Sequence, residues 1–406
     1  MASILIRNIR TLVGIRDSGV NMVKGNEMKT LPFIENAWLL MENGLIKSWG
    51  PNADSPERAD EVIDASGSFV FPSWCDSHTH IVYAGPRETE FVDRINGLSY
   101  EEIAKRGGGI INSALRLADA SEEELFEAAW MRLEEMQKFG TGAVEIKSGY
   151  GLSYEGELKM LRVIKKLKER SKLIIKSNFL GAHAYPTAFK QNHEGYIDLL
   201  INRLLPQIAD EGLADFIDVF CDRGFFSADE TDRILQAGAR YGLQPKIHAN
   251  ELDYSGGIEV GVKNKALSVD HLEFTGDEQI NALLKSSTMP TLLPSTAFFL
   301  GLHYAPARKM IDAGLPVAIA TDYNPGSSPS GNMPFIVSLA CIKMKMLPEE
   351  AINAATLNSA YAMGVDKVLG SITVGKKASV FITKPMSSLA YMPYSFASNL
   401  VESVII

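Results

Sequence analysis

The chain is poor in cysteine. Cys75, Cys221 and Cys341 are odd in number and widely spaced along 406 residues. With no C-x-x-C pair, a structural zinc knot is set aside, and reduced thiols in a cytoplasmic protein are expected. Positive charge is also short. The 40 Lys and Arg against 49 Asp and Glu leave a net charge of -9. That gives no basic surface for nucleic acid. Apolar runs are brief, and none reaches the about 18 residues that a membrane span needs. Arg7 and Arg10 interrupt the apolar start MASILIRNIRTLV, so it does not read as a secretion signal. The expectation is a cytoplasmic protein with no nucleic-acid and no membrane partner. What is present, 46% hydrophobic and 22% charged residues, suits a large globular core.

Both ends of the chain are β-rich. ILIRNI and WLLMENGLIKSWG read as strands, the second turning at Asn43-Gly44. GSITVGKKASVFIT (370–383) speaks the same language near the C-terminus. The middle alternates. Strand candidates are VFPSW (70–74), GAVEIK (142–147), IIKSNFLGAH (174–183), FIDVFCD (216–222), PKIHAN (245–250), LSVDH (267–271), MPTLLP (289–294) and VAIATD (317–322). Helical patterns separate them; one starts at Ser121 with Glu124 in the capping-box position and stops at Gly140. Eight strands alternating with helices point to a (β/α)8 TIM barrel. The expected division is 1–65 plus 366–406 as a composite β-sandwich domain and 66–365 as a catalytic barrel.

Chemistry in such barrels sits at the C-terminal ends of the strands. His78 and His80 follow the first strand, His183 ends the third, His248 the fifth and His271 the sixth, and Asp322 ends the eighth. Only His193 and His303 lie elsewhere. His78 and His80 are two residues apart, so in a strand both imidazoles face one point. With His248 and Asp322 they make a donor set for a catalytic divalent cation, zinc by default and iron or manganese otherwise. Such a cation activates water, and Asp322 can take the water's proton and pass it on.

FVFPSWCDSHTH resembles the V-x-P-G-x-x-D-x-H-x-H segment of the amidohydrolase superfamily, and GSITVGKKASVFI resembles its G-S-x-x-x-G-K-x-A-D-x-V segment. Ser73 and Ser379 depart from that pattern, where glycine and aspartate are usual. TEFVDRINGLSYEEIAKRGGGI, VEIKSGYGL, FLGAHAYP, KIHANEL and ATDYNPGS are similar to the imidazolonepropionase family within it. The similarity runs over nearly the whole chain. It implies hydrolysis of the ring amide C–N bond of 4-imidazolone-5-propanoate to N-formimidoyl-L-glutamate in histidine degradation, by a metal-activated hydroxide. It also implies one zinc or iron ion per subunit and a homodimer.

That substrate has a ring amide and a propionate tail. Arg87 is the expected partner of the tail carboxylate, with Tyr150 donating a hydroxyl and Tyr100 walling the pocket. His183 is expected to hydrogen-bond the ring carbonyl and stabilise the oxyanion. Glu251 is placed to accept from a ring N–H, and Asn324, Gly326 and Ser327 to hold the ring or the product. His271 either orients water or supports the site from behind. Asp322, His271 and Glu251 share the proton transfers, in an order that stays open. Lys147 is expected to be structural or to support the metal ligands from behind, rather than to be a bridging ligand, and the RGGGI loop to close over the substrate. Two rivals fit the same pattern: a heterocycle deaminase and a non-catalytic barrel homologue.

Overall fold

The computed structural model describes residues 3–98, 102, 106, 108–396 and 398–406. The N-terminal region supplies β1 (Ser3–Val13), β2 (Phe33–Glu42), β3 (Leu45–Pro51), β4 (Glu61–Asp64) and β5 (Phe69–Pro72). Asn43 and Gly44 turn β2 into β3 with φ of 53° and 74°, the left-handed pair that a tight Asn-Gly hairpin demands. The middle supplies β6 (Trp74–Thr79), β7 (Thr141–Lys147), β8 (Ile174–Ala182), β9 (Phe216–Cys221), β10 (Gln244–Ala249), β11 (Ser268–His271), β12 (Met289–Leu292) and β13 (Ala318–Ile319). β14 (Val380–Thr383) and β15 (Val401–Ile405) follow. Strands β6 to β13 form one eight-stranded sheet in sequence order, with parallel pairing throughout. The chain ends build a second sheet, ordered β15-β14-β5-β1-β2-β3, with β4 on β1.

Two strand expectations need correction. Phe69–Pro72, expected to open the barrel, belongs to the sheet of the chain ends, where Phe71 lies opposite Phe381 on β14. Their rings stack at 5.1 Å, and Trp74 packs on Phe381 at 4.8 Å. Aromatic packing thus claims the apolar run for the small sheet. The first barrel strand is β6, so His78 lies within a strand and not after one. VAIATD pairs regularly only at Ala318–Ile319. The carbonyls beside it are taken by side chains: Asn358 Nδ2 donates to Val317 O and Ser359 Oγ to Ile319 O, each at 2.9 Å. Both come from the segment around a π-helical turn at Ala354–Asn358, a form often found where a helix must present side chains irregularly.

The helix Glu122–Lys138 shows how the barrel is wrapped. Ser121 and Glu124 form a reciprocal capping box, and Gly140 leaves with φ of 93°. Leu125, Phe126, Ala129, Leu133 and Met136 are buried at helical spacing, the stripe that packs on the sheet. No helix among the described residues is long and apolar enough to cross a membrane.

Ser73 and Ser379, the two departures from the family pattern, meet each other. Their hydroxyls hydrogen-bond at 2.7 Å in the buried seam between the sheets. Each supplies what the other lacks, so neither polar group is stranded. A Cβ on Gly142 would collide with both hydroxyl oxygens. Gly142→Ala should therefore destabilise the fold by about 1–3 kcal/mol, the usual cost of overpacking. Urea unfolding checks this, and an unchanged midpoint would mean that the seam is loose.

Candidate active site

The barrel closes beside its donor residues. The backbone N–H of Asp322 donates to His78 O at 3.0 Å, and that of His80 to Tyr323 O at 2.9 Å. Asp76 fastens the same seam, accepting from Thr321 N at 3.0 Å and Thr321 Oγ1 at 2.6 Å. Asp322 and His271 have φ of 53° and 82°. Left-handed backbone is costly for residues with a Cβ and concentrates at functional sites. Here it swings both side chains inward as their strands end.

His78 Nε2 and His80 Nε2 lie 3.3 Å apart. Asp322 Oδ1 is 3.5 Å from the first and 3.4 Å from the second. The ring of His248 stands 4.5 Å from that of His78. His78, His248 and His271 form a second group with converging donors. Burial, reinforced by the charge of Lys147, holds His78 well below the usual imidazole range. Burial also lowers His80. Both are therefore neutral with lone pairs to offer. Burial alone would raise Asp322, but hydrogen bonding with His80 and the neighbouring His271 outweigh it and bring its pKa down to about 2. His248 Nε2 is buried without a partner in the protein, an expensive state for a polar atom. Neutral imidazoles, an ionised carboxylate and this orphaned nitrogen fit a divalent cation.

Carboxylates stand behind the histidines. Asp270 Oδ2 is 2.7 Å from His78 Nδ1, and Asp218 Oδ1 is 3.1 Å from His248 Nδ1. Each acceptor fixes the tautomer that leaves Nε2 bare. Below them Glu145, Lys147 and Lys246 are completely buried and paired. Burial disfavours the Lys147 charge, but Asp218, Glu145 and Asp270 more than compensate and raise its pKa.

A cavity of about 620 Å³ opens above the donors, lined in part by Arg87, Tyr150, His183, Glu251, Asn324 and Ser327. Arg87 Nε is held by Glu90 Oε1 at 2.9 Å. The same oxygen accepts from Gly109 N at 2.8 Å. Gly109, from the RGGGI run, therefore caps the helix Ile110–Asp119. Tyr150 sits in a loop pinned by Glu157, whose carboxylate accepts from Gly149, Gly151 and Leu152 N–H at 2.8–3.1 Å. Gly151 is required there, because a Cβ would strike the backbone of Gly156 and Glu157.

The amidohydrolase family model matches residues 69–406. The chain is 60% identical over 403 residues to an imidazolonepropionase of Flavobacterium johnsoniae, covering 99% of this chain and 98% of the relative. It is 44% identical to one of Geobacillus thermodenitrificans, covering 100% and 97%. The chain belongs to the imidazolonepropionase family of amidohydrolases. Among solved structures, an E. coli guanine deaminase superposes with a TM-score of 0.75 at 14% identity, covering 100% of this chain and 98% of that one. A triazine hydrolase variant gives 0.74 at 15%, covering 100% and 93%. At that identity the likeness is one of fold.

Within this member of the imidazolonepropionase family, one expectation changes. His183 Nδ1 lies 3.1 Å from Gly149 O. A carbonyl only accepts, so Nδ1 carries the proton and Nε2 is an acceptor. Burial, with His80 and His248 nearby, keeps the ring neutral. His183 thus offers an acceptor at Nε2, where a donor was expected. Asn324 turns inward on its own loop: Oδ1 accepts from Gly326 N and Ser327 N, each at 2.8 Å. It shapes the loop that lines the cavity. Tyr100 lies outside the described residues, as does part of the RGGGI loop.

Glu273, Asp218, Asp270 and Lys246 were not anticipated. A charged residue inside each of the otherwise apolar runs FIDVFCD, PKIHAN and LSVDH is the signal that would have found Asp218, Lys246 and Asp270. Glu273 lies 3.9 Å from His271 Nδ1, and Glu251 lies 3.6 Å from the same atom. Burial, then the charges of Asp322 and Asp222, push Glu251 from 4.5 up to about 8. Stability linked to its protonated form is complete below pH 4.5 and is lost as the pH climbs towards 8. In metal-free protein, Glu251→Gln should melt with a shallower decline over that window than wild type. Parallel declines by calorimetry would remove the assignment.

Proposed function

We infer that the chain opens the ring of 4-imidazolone-5-propanoate at its amide C–N bond, giving N-formimidoyl-L-glutamate in histidine degradation. The observation that carries the residue assignment is the presence of Arg87 in the same cavity as the buried His80, His248 and Asp322. A carboxylate tail needs a guanidinium, and a hydrolysed amide needs an electrophilic centre beside it. A deaminase substrate without an acidic tail gives Arg87 no such work, and a silent barrel has no use for an orphaned His248 nitrogen.

His78, His80, His248 and Asp322 are the residues that would hold one divalent cation per subunit, zinc or iron. When bound, such an ion polarises a carbonyl and makes water nucleophilic at neutral pH. Everything else falls to the protein. Arg87 and Tyr150 hold the tail, so the ring faces the donor residues and the reaction becomes effectively unimolecular. His183 Nε2 receives a ring N–H. Thr296 Oγ1 donates to Asp322 Oδ2 at 2.6 Å and fixes that carboxylate. With its pKa near 2, Asp322 stays ionised and can receive the water's proton. Glu251, near 8, carries a proton at neutral pH and can release it to the departing ring nitrogen. Between them His271 stays neutral: burial dominates and lowers it to about 3. The reading extends to a homodimer, which sedimentation equilibrium tests.

Arg87→Met should raise KM for the acidic substrate about 10–100-fold, the worth of one charge-assisted hydrogen bond, with little change in melting temperature. An unchanged KM would favour the deaminase reading. Asp322→Asn should keep the fold by circular dichroism and lower kcat about a hundredfold or more. Turnover near wild type would end its role.

A further inference from the structure

Beneath the donor histidines, the barrel interior carries a layer of charge. Glu145 and Lys147 share the inner face of β7, Lys246 comes from β10, Asp218 from β9 and Asp270 from β11. All five side chains are fully buried. Barrel interiors are usually filled by branched apolar side chains, so each ion here needs a partner to be tolerable.

The connections are specific. Lys147 Nζ is 2.5 Å from Glu145 Oε1, 2.8 Å from Asp218 Oδ2 and 3.7 Å from Asp270 Oδ2. Asp218 then uses its other oxygen, Oδ1, on His248 Nδ1 at 3.1 Å. Asp270 uses Oδ2 on His78 Nδ1 at 2.7 Å, while its Oδ1 accepts from Ser268 Oγ at 2.5 Å. Lys246 bonds Glu145 and the carbonyls of Ser77 and Ala362, and its Nζ also stands 3.9 Å from Asp270 Oδ2, but it has no ion pair with Asp218 among the described residues. One ammonium therefore stands behind two histidines that belong to different strands. The surrounding carboxylates also rule on its chemical form. They accept hydrogen bonds, which an ammonium donates and an acidic adduct of lysine would not.

We propose that Lys147 is a positioning residue of the metal centre, its ammonium tying Asp218 to Asp270 and thereby setting where His248 and His78 present their Nε2 atoms. The proposal rests on the donor set proposed above. Removing Lys147 takes away the ammonium that Asp218 and Asp270 share, leaving Asp270 with Lys246 at 3.9 Å and nothing that links it to Asp218. The two imidazoles then lose their fixed spacing, although no residue touching substrate has changed.

The test is zinc affinity by competition with a chelating dye, measured on wild type, Lys147→Met, the charge-balanced pair Lys147→Met/Glu145→Gln, Glu145→Gln alone and His248→Ala. Both Lys147 variants should bind zinc about 10–100-fold more weakly, the usual effect of losing a supporting partner. Glu145→Gln should stay close to wild type, and KM at saturating zinc should hold in every Lys147 variant that folds. If the single variant fails to fold, the charge-balanced pair decides. Wild-type affinity in a folded Lys147 variant would overturn the proposal, as would equal weakening in Glu145→Gln, which would mean general damage to the layer. Zinc binding by His248→Ala at wild-type strength would instead overturn the donor set itself.

Discussion

The structure depends on the closure of one seam. The first and last barrel strands lie far apart in sequence, and they join through the backbone of the donor residues themselves. Asp322 N–H to His78 O is a ladder bond and a placement device at once. Because closure brings β6 to β13, His78, His80 and Asp322 converge without any local motif spanning them. Asp76, whose carboxyl is raised by burial to about 7 despite its bonds to Thr321, sits on this same join. The seam that completes the fold and the seam that completes the site are one feature.

Charge inside the barrel follows from that placement. A cluster of neutral imidazoles needs acceptors behind it to fix each tautomer. Those acceptors are carboxylates, which need cations in turn. Hence Lys147 and Lys246 occupy volume that aliphatic side chains fill in other barrels. Swapping such ions for apolar groups is often neutral or better for stability. Their presence here therefore speaks for placement of the histidines more than for strength of the fold.

Much of this was legible in the sequence, for physical reasons that can be named. Histidines at strand ends are visible because strand period and barrel polarity are local signals. The capping box at Ser121 and the turn at Asn43-Gly44 are equally local. The assignment of Phe69–Pro72 was not, because an apolar run does not say which sheet will claim it; Phe381, some three hundred residues away, decided that. The tautomer of His183 was hidden as well, since it depends on the carbonyl of Gly149 in another loop. Glu273 gave no signal at all, lying beyond the end of β11 where the backbone turns left-handed.

The hydroxyl pair at Ser73 and Ser379 couples two positions 306 residues apart in the chain. A change at either position is therefore felt at the other. An aspartate arriving alone at 379 would crowd Ser73 over Gly142, and a glycine arriving alone at 73 would strand the hydroxyl of Ser379. Substitutions at the two positions should therefore be non-additive, since each side chain fills the space or satisfies the hydroxyl that the other leaves.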